Sequence, residues 1–189
     1  MLLLGLMFGG AGSAWGEEVT YTISKLNTLT TSGTAPEGSS ATIVETYSTM
    51  CQMTKSNSQT LKLSGYDGCK ITKIVLSMKS NSKGGAGCLG YSVNGDTNYT
   101  WIVGSINNGV SNGVAFNDAK WHGSWSTTYV DITKNVNIEC GSSDVWFYVY
   151  ASTNSLYCKS YTLTYEKKVN SLTKIATIGD DFATTTLDF

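Results

Sequence analysis

The sequence predicts an all-β protein: two antiparallel sheets packed face to face as a jelly-roll-like β-sandwich. Three observations carry that expectation. Apolar and polar residues alternate with period two in one segment after another. No stretch of residues 17–166 shows the 3.6-residue periodicity of an amphipathic helix. Turn formers, among them 20 glycines, separate the segments at short intervals, and roughly ten short strands with regular turns read as two stacked sheets.

The first strand is "VTYTI", with Val19, Tyr21 and Ile23 on one face and two threonines on the other. The turn-rich "TTSGTAPEGSS" leads to "ATIVETY" (41–47). In "ITKIVLSM", Ile74, Leu76 and Met78 point inward, with Lys73, Val75 and Ser77 opposite. The glycine-rich "KSNSKGGAG" (79–87) follows as a loop; it lacks the phosphate-loop pattern and no helix comes after it. "CLGYSV", "TWIVGSI", "GVAF" and "YVDI" are shorter strands, and "NGD" (94–96) reads as a hairpin turn rather than a calcium ligand set. Two long strands close the domain, "VWFYVYA" (145–151) and "SLYCKSYTLTY" (155–165), and the short "STN" between them predicts a hairpin.

The two ends have a different character. "LLLGLMFGGAGSAWG" has the length and apolarity of a signal peptide, though no positively charged segment precedes it. Cleavage after Gly16 is expected, with Ala14 as the rival site, so residues 1–16 are assigned to a leader and the exported chain should be free of the membrane. Residues 17–166 form the sandwich domain. After Glu166, "KKVNSLTKIATIGDDFATTTLDF" resumes strand-like text and is expected to be a linker or the truncated start of a second β module; an edge strand closing the sandwich is the alternative.

Charge and cysteine usage exclude several function classes. Only 14% of residues are charged and the net charge is −1, which argues against nucleic acid as a partner, since that needs a clustered basic face. The five cysteines (Cys51, Cys69, Cys88, Cys140, Cys158) leave at least one unpaired; five choices of the odd thiol and three pairings of the rest give fifteen two-bridge connectivities. Mostly buried thiols, or a single bridge, are expected. No cysteine or histidine spacing suits a metal, and no cofactor motif is present.

Segments "LKLSGYDGCKITKIVLSMKSNSKGGAG", "WHGSWSTTYVDIT" and "ASTNSLYCKSYTLTYE" resemble a secreted β-sandwich accessory module found in gut Bacteroidales and related bacteria. The resemblance covers residues 19–166. It implies a neighbour to other extracellular domains, with no assigned activity of its own. "KIATIGDDFATTTLDF" similarly resembles the opening of a C-terminal β module from the same bacteria. The cysteines depart from the pattern, since a member would as readily carry Tyr at the place of Cys69 or Ile at that of Cys158.

Catalysis finds little support in the residues. His122 is the only histidine, no Gly-x-Ser-x-Gly elbow exists, and no pair stands out among Glu45, Asp67, Asp96, Asp118, Asp131, Glu139 and Asp144. No catalytic residue is therefore assigned. For ligand binding, Trp101, Trp121 and Trp125 offer flat apolar rings on which a sugar face could stack, while Asn117, Asp118 and His122 offer polar handles; the alternative for the Trp121/Trp125 pair is that one ring closes the end of the core and the other packs on the surface of a long loop. The expected function is a non-catalytic extracellular binding module for a glycan or a cell-surface ligand within a larger secreted protein. The alternatives are a structural spacer and, more remotely, a hydrolase fragment. Exposed tryptophans grouped around a concavity would favour binding; their burial would favour the spacer.

Overall fold

A computed structural model describes residues 15–46, 51–81 and 84–168. The expected leader (apart from Trp15 and Gly16) and the expected second module after Lys168 lie outside the described residues.

Alternation of side chains dictates the architecture. In chain order the strands are β1 (Val19–Lys25), β2 (Leu29–Gly33), β3 (Ser40–Glu45), β4 (Gln52–Met53), β5 (Asn57–Ser64), β6 (Cys69–Ser80) and β7 (Ala86–Ser92). They continue with β8 (Thr100–Val103), β9 (Ser105–Asn107), β10 (Val110–Asn112), β11 (Val114–Ala115), β12 (Val130–Glu139), β13 (Val145–Thr153) and β14 (Leu156–Lys167). No helix occurs among the described residues, so none there is long and apolar enough to cross a membrane. One sheet runs β12-β6-β14-β1-β2, with β4 on the end of β14; the other runs β11-β7-β13-β5-β3, with β8 on β7. Every described strand pairing is antiparallel. The expected all-β, two-sheet antiparallel sandwich is what the chain forms.

Between the sheets lies one continuous core. β6 contributes Ile71, Ile74, Leu76 and Met78; β13 contributes Val145, Phe147, Val149 and Ala151; β14 contributes Leu156, Cys158, Tyr161, Leu163 and Tyr165. Irregular pairing at Cys158/Ser160 and at Thr164/Tyr165 explains why the inward positions of β14 change from even to odd numbers, and those of β6 from odd to even.

One expectation is corrected. β13 and β14 do not form a hairpin: β13 pairs with β5 and β7 in one sheet, β14 with β1, β4 and β6 in the other. Each strand is apolar along one face, and the chain satisfies both faces by crossing the core so that they oppose each other. Asn154, at φ 50°, lies in this crossing. β5 and β7, adjacent to β13, are linked to each other through β6 in the opposite sheet, so the same crossing recurs.

Strand β5 is not legible as apolar alternation because its inward residue Gln59 is polar, yet 0% exposed. The Tyr161 hydroxyl donates to Gln59 Oε1 (2.7 Å), and Gln59 Nε2 donates to Glu45 Oε1 (2.7 Å). Lys25 Nζ then lies 3.1 Å from Glu45 Oε2. Tyr161 and Lys25 belong to one sheet, Gln59 and Glu45 to the other, so this chain of bonds ties the layers together. Removing the amide strands the Tyr161 hydroxyl and the Glu45 carboxylate without their partner. Gln59→Leu is expected to lower unfolding free energy by about 2–4 kcal/mol in urea titrations. A loss under about 1 kcal/mol would show that the bond chain is dispensable.

Candidate functional site

The two-residue turn Asn108-Gly109 closes the β9–β10 hairpin, which stands apart from both main sheets. Both turn residues have positive φ (51° and 77°), the mirror-image turn that Asn-Gly favours. Beside it, the loop between β7 and β8 carries Asp96, Asn98 and Tyr99. Asn98 also has positive φ, at 55°. These two segments wall a cleft of about 780 Å³ lined by Asp96, Asn98, Tyr99, Trp101, Ile106, Asn107, Asn108 and Tyr148. Two other cavities, near Lys167 and Lys168, are smaller, at about 290 and 330 Å³.

Strand register builds the aromatic side of this cleft. Inward Phe147 and Val149 leave Trp146, Tyr148 and Tyr150 on the outer face of β13. Gly90 of β7 pairs with Tyr148 on one side and with Trp101 of β8 on the other. A Cβ at Gly90 would come within 2.9 Å of the Trp101 ring, so the absent side chain makes room for the indole. The Tyr99 ring lies 4.9 Å from that of Tyr148 and 5.8 Å from that of Trp101. Trp101 meets Tyr148 edge-on at 6.2 Å, and Tyr150 stacks on Tyr148 at 6.2 Å with 12° between planes. The rings hold one another, so little side-chain freedom is left to lose on binding.

The polar lining is amide-rich and carries a single carboxyl group. The Tyr99 hydroxyl donates to Asp96 Oδ1. Desolvation raises the Asp96 carboxyl above its ordinary pKa, while burial does the same for the Tyr148 hydroxyl. Among the described residues, no lysine or arginine lines the cleft. Lys62, above the Trp146 ring on the same face, is engaged by Asp144 (2.8 Å), whose carboxyl is held below its usual pKa by Lys62 and then by Ser64.

The sequence-derived candidates do not come together. Trp101 lines the cleft; Trp121, Trp125, His122, Asn117 and Asp118 do not. Trp121 is 4% exposed, its Nε1 donates to the Val114 carbonyl (3.0 Å), and its ring stacks on buried Phe116. As a core residue it offers no free ring face. Trp125, half-buried, packs against the same core. The His122 ring also lies against Phe116, with Nδ1 3.1 Å from Ser124 Oγ. Asp118 is occupied by turn geometry: Oδ1 accepts the Lys120 N–H (2.7 Å), and its carbonyl accepts those of Trp121 and Gly123. Asn117 is exposed beside it. The segment thus closes one end of the core, with Gly123 at φ 83° turning the chain outward.

Tyr99, Tyr148 and the asparagines were the residues that sequence reasoning left out. Tyr99 and Trp101, two apart in "YTWIV", and the Asn-Gly pair were signals, but their meeting with Tyr148 depends on two strand pairings. Among the described residues, no group of three or more His, Cys, Asp or Glu is placed to hold a metal ion.

No protein-family model matches the chain, and no curated protein does. Two solved structures share general features. Dimeric latent PorU from Porphyromonas gingivalis aligns with 85% of this chain at 13% identity and a TM-score of 0.37. The CBM22-1–GH10 modules of Clostridium thermocellum endo-1,4-beta-D-xylanase 10B, complexed with xylohexaose, align with 76% at 11% identity and a TM-score of 0.32. This chain spans 14% and 27% of those two proteins. Likenesses of this size carry no argument about function, which is left to the cleft.

The different placements of the tryptophans predict different stability effects. Trp121→Ala should cost about 3–5 kcal/mol in chemical denaturation, as for other buried aromatic truncations. Trp101→Ala, removing a half-buried ring, should cost less than about 2 kcal/mol. Equal losses would contradict the assignment of one ring to the core and the other to the cleft.

Proposed function

We propose that this chain is a non-catalytic extracellular binding module whose Tyr99–Trp101–Tyr148 cleft takes an uncharged glycan. It would act within a larger secreted protein, of the Bacteroidales type that the sequence segments resemble. The observation that carries the reading is a cleft with packed aromatic rings on one side and three asparagines on the rim.

A sugar ring has an apolar C–H face and an edge of hydroxyls, and this lining offers a counterpart to each. Covering about 100 Å² of ring surface contributes about 2.5 kcal/mol at roughly 25 cal/mol per Å². A few amide–hydroxyl bonds add about 1 kcal/mol each, which corresponds to a Kd between micromolar and millimolar. Uronic acids and sulfated sugars fit poorly, because Asp96 repels them and no cation on the lining offsets that repulsion. Hydrolysis is disfavoured by the same inventory: glycosidases of the common type need two carboxyl groups across the bond, and Asp96 is the one carboxylate among the lining residues.

Affinity electrophoresis of the full chain through gels containing neutral polysaccharides (glucans, xylan, mannan) or polyuronates tests this reading. Retardation is expected in at least one neutral gel, none in polyuronate, and Trp101→Ala should weaken the neutral binding at least tenfold. Trp121→Ala, where folded, should bind as the parent does. Absence of retardation in every neutral gel would overturn the proposal and leave the chain as a structural spacer.

A further inference from the structure

The five thiols are free and buried in this structure, and the backbone sorts them. Cys140 directly follows β12, whose last residue Glu139 is opposite Lys70, so Cys140 falls opposite Cys69. The Cys140 N–H donates to the Cys69 carbonyl at 2.8 Å, and the Gly68 N–H donates back to the Cys140 carbonyl at 3.2 Å. Gly68, at φ 68°, and Cys69 thus oppose Cys140 as a bulge, and residues facing each other across an antiparallel pair have Cα atoms about 4.5–5.5 Å apart. That lies inside the span of about 4.4–6.8 Å that a disulfide bridges. Both side chains belong to the same core cluster, so they point to the same side of the sheet.

Cys51 and Cys158 repeat the backbone relation, with the Cys158 N–H donating to the Cys51 carbonyl at 3.0 Å. The Cys51 thiol is otherwise engaged, however. Cys51 adopts a positive φ of 63°, its Sγ faces the Lys25 carbonyl, and it lies outside the core cluster that contains Cys158. Cys88 belongs to the other sheet, where its Sγ has Ser105 and Ser111 as neighbours.

We propose that Cys69 and Cys140 form the one disulfide of this domain when it folds in an oxidising medium, leaving Cys51, Cys88 and Cys158 as thiols. With glutathione disulfide as oxidant, the Cys69 thiolate attacks one of its sulfurs and releases a first glutathione thiolate. The Cys140 thiolate then attacks Cys69 Sγ in the mixed disulfide and releases the second. Two protein thiols are oxidised, one glutathione disulfide is reduced to two glutathiones, and the two thiol protons pass to them. Timing follows from burial. Desolvation raises the Cys69 thiol and pushes that of Cys140 up to about 12, so the folded, reduced chain holds almost no thiolate there. The bridge therefore forms during folding, before the core closes, and joins residues some 70 positions apart in the chain.

The test is to denature the full chain, refold it in glutathione redox buffer or in reductant, denature it again and alkylate. Three labels are expected after oxidative refolding and five after reducing refolding, with a higher Tm for the oxidised form. Without reduction, tryptic peptide 63–70, which carries Cys69 alone, should be joined to 135–159, which carries Cys140 and Cys158. Cys158→Ala should keep that linkage. Cys140→Ala should abolish it, together with the Tm difference. Five labels after oxidative refolding, or a bridge joining any other pair, would overturn the assignment.

Discussion

The Tyr161–Gln59–Glu45–Lys25 chain of bonds is the constraint on which the rest of the structure depends. A glutamine at the centre of an apolar core costs several kcal/mol unless its amide is satisfied, so β5 has one parity in which it can pack. With Gln59 inward, Ser58, Thr60 and Lys62 face outward. The β5–β13 register then sets them beside Tyr150, Tyr148 and Trp146. A slip of one residue would bury the tyrosine row and expel Phe147 and Val149. The arrangement that closes the core is thus the one that presents rings on the outer face.

From that face outward, each step is a local consequence. Gly90 leaves a gap in β7 beside Tyr148, the Trp101 indole fills it, and Tyr99 lies tilted against both. The Asn-Gly hairpin adds the opposite wall. The rings are fixed by one another rather than by a mobile loop, which suits recognition of a ligand whose shape varies little along its length.

How much of this could be read from the chain itself varied with where the partners lie. β1, β6, β13 and β14 announce themselves because their inward residues are apolar or aromatic and recur at alternate positions on either side of the bulges in β6 and β14. β5 is silent, since Gln59 finds its partner 102 residues away in Tyr161. The β13–β14 link reads as a hairpin because short polar connections serve hairpins and sheet crossings alike; only the opposing apolar faces distinguish them. Trp101 was recognisable as a platform, but its companions come from another strand and loop. Trp121 could be read in sequence either as a platform or as a ring closing the end of the core, and its partners decide for the core: Phe116 stacks on it and the Val114 carbonyl accepts its N–H.

The separation between core tryptophans and cleft tryptophan is most directly measured by nitrogen–proton NMR of the five indole N–H groups during titration with a neutral oligosaccharide. Ligand should shift the Trp101 indole progressively with concentration while the Trp121 indole stays in place, held by its carbonyl. Movement of Trp121 with an unperturbed Trp101 would contradict the account.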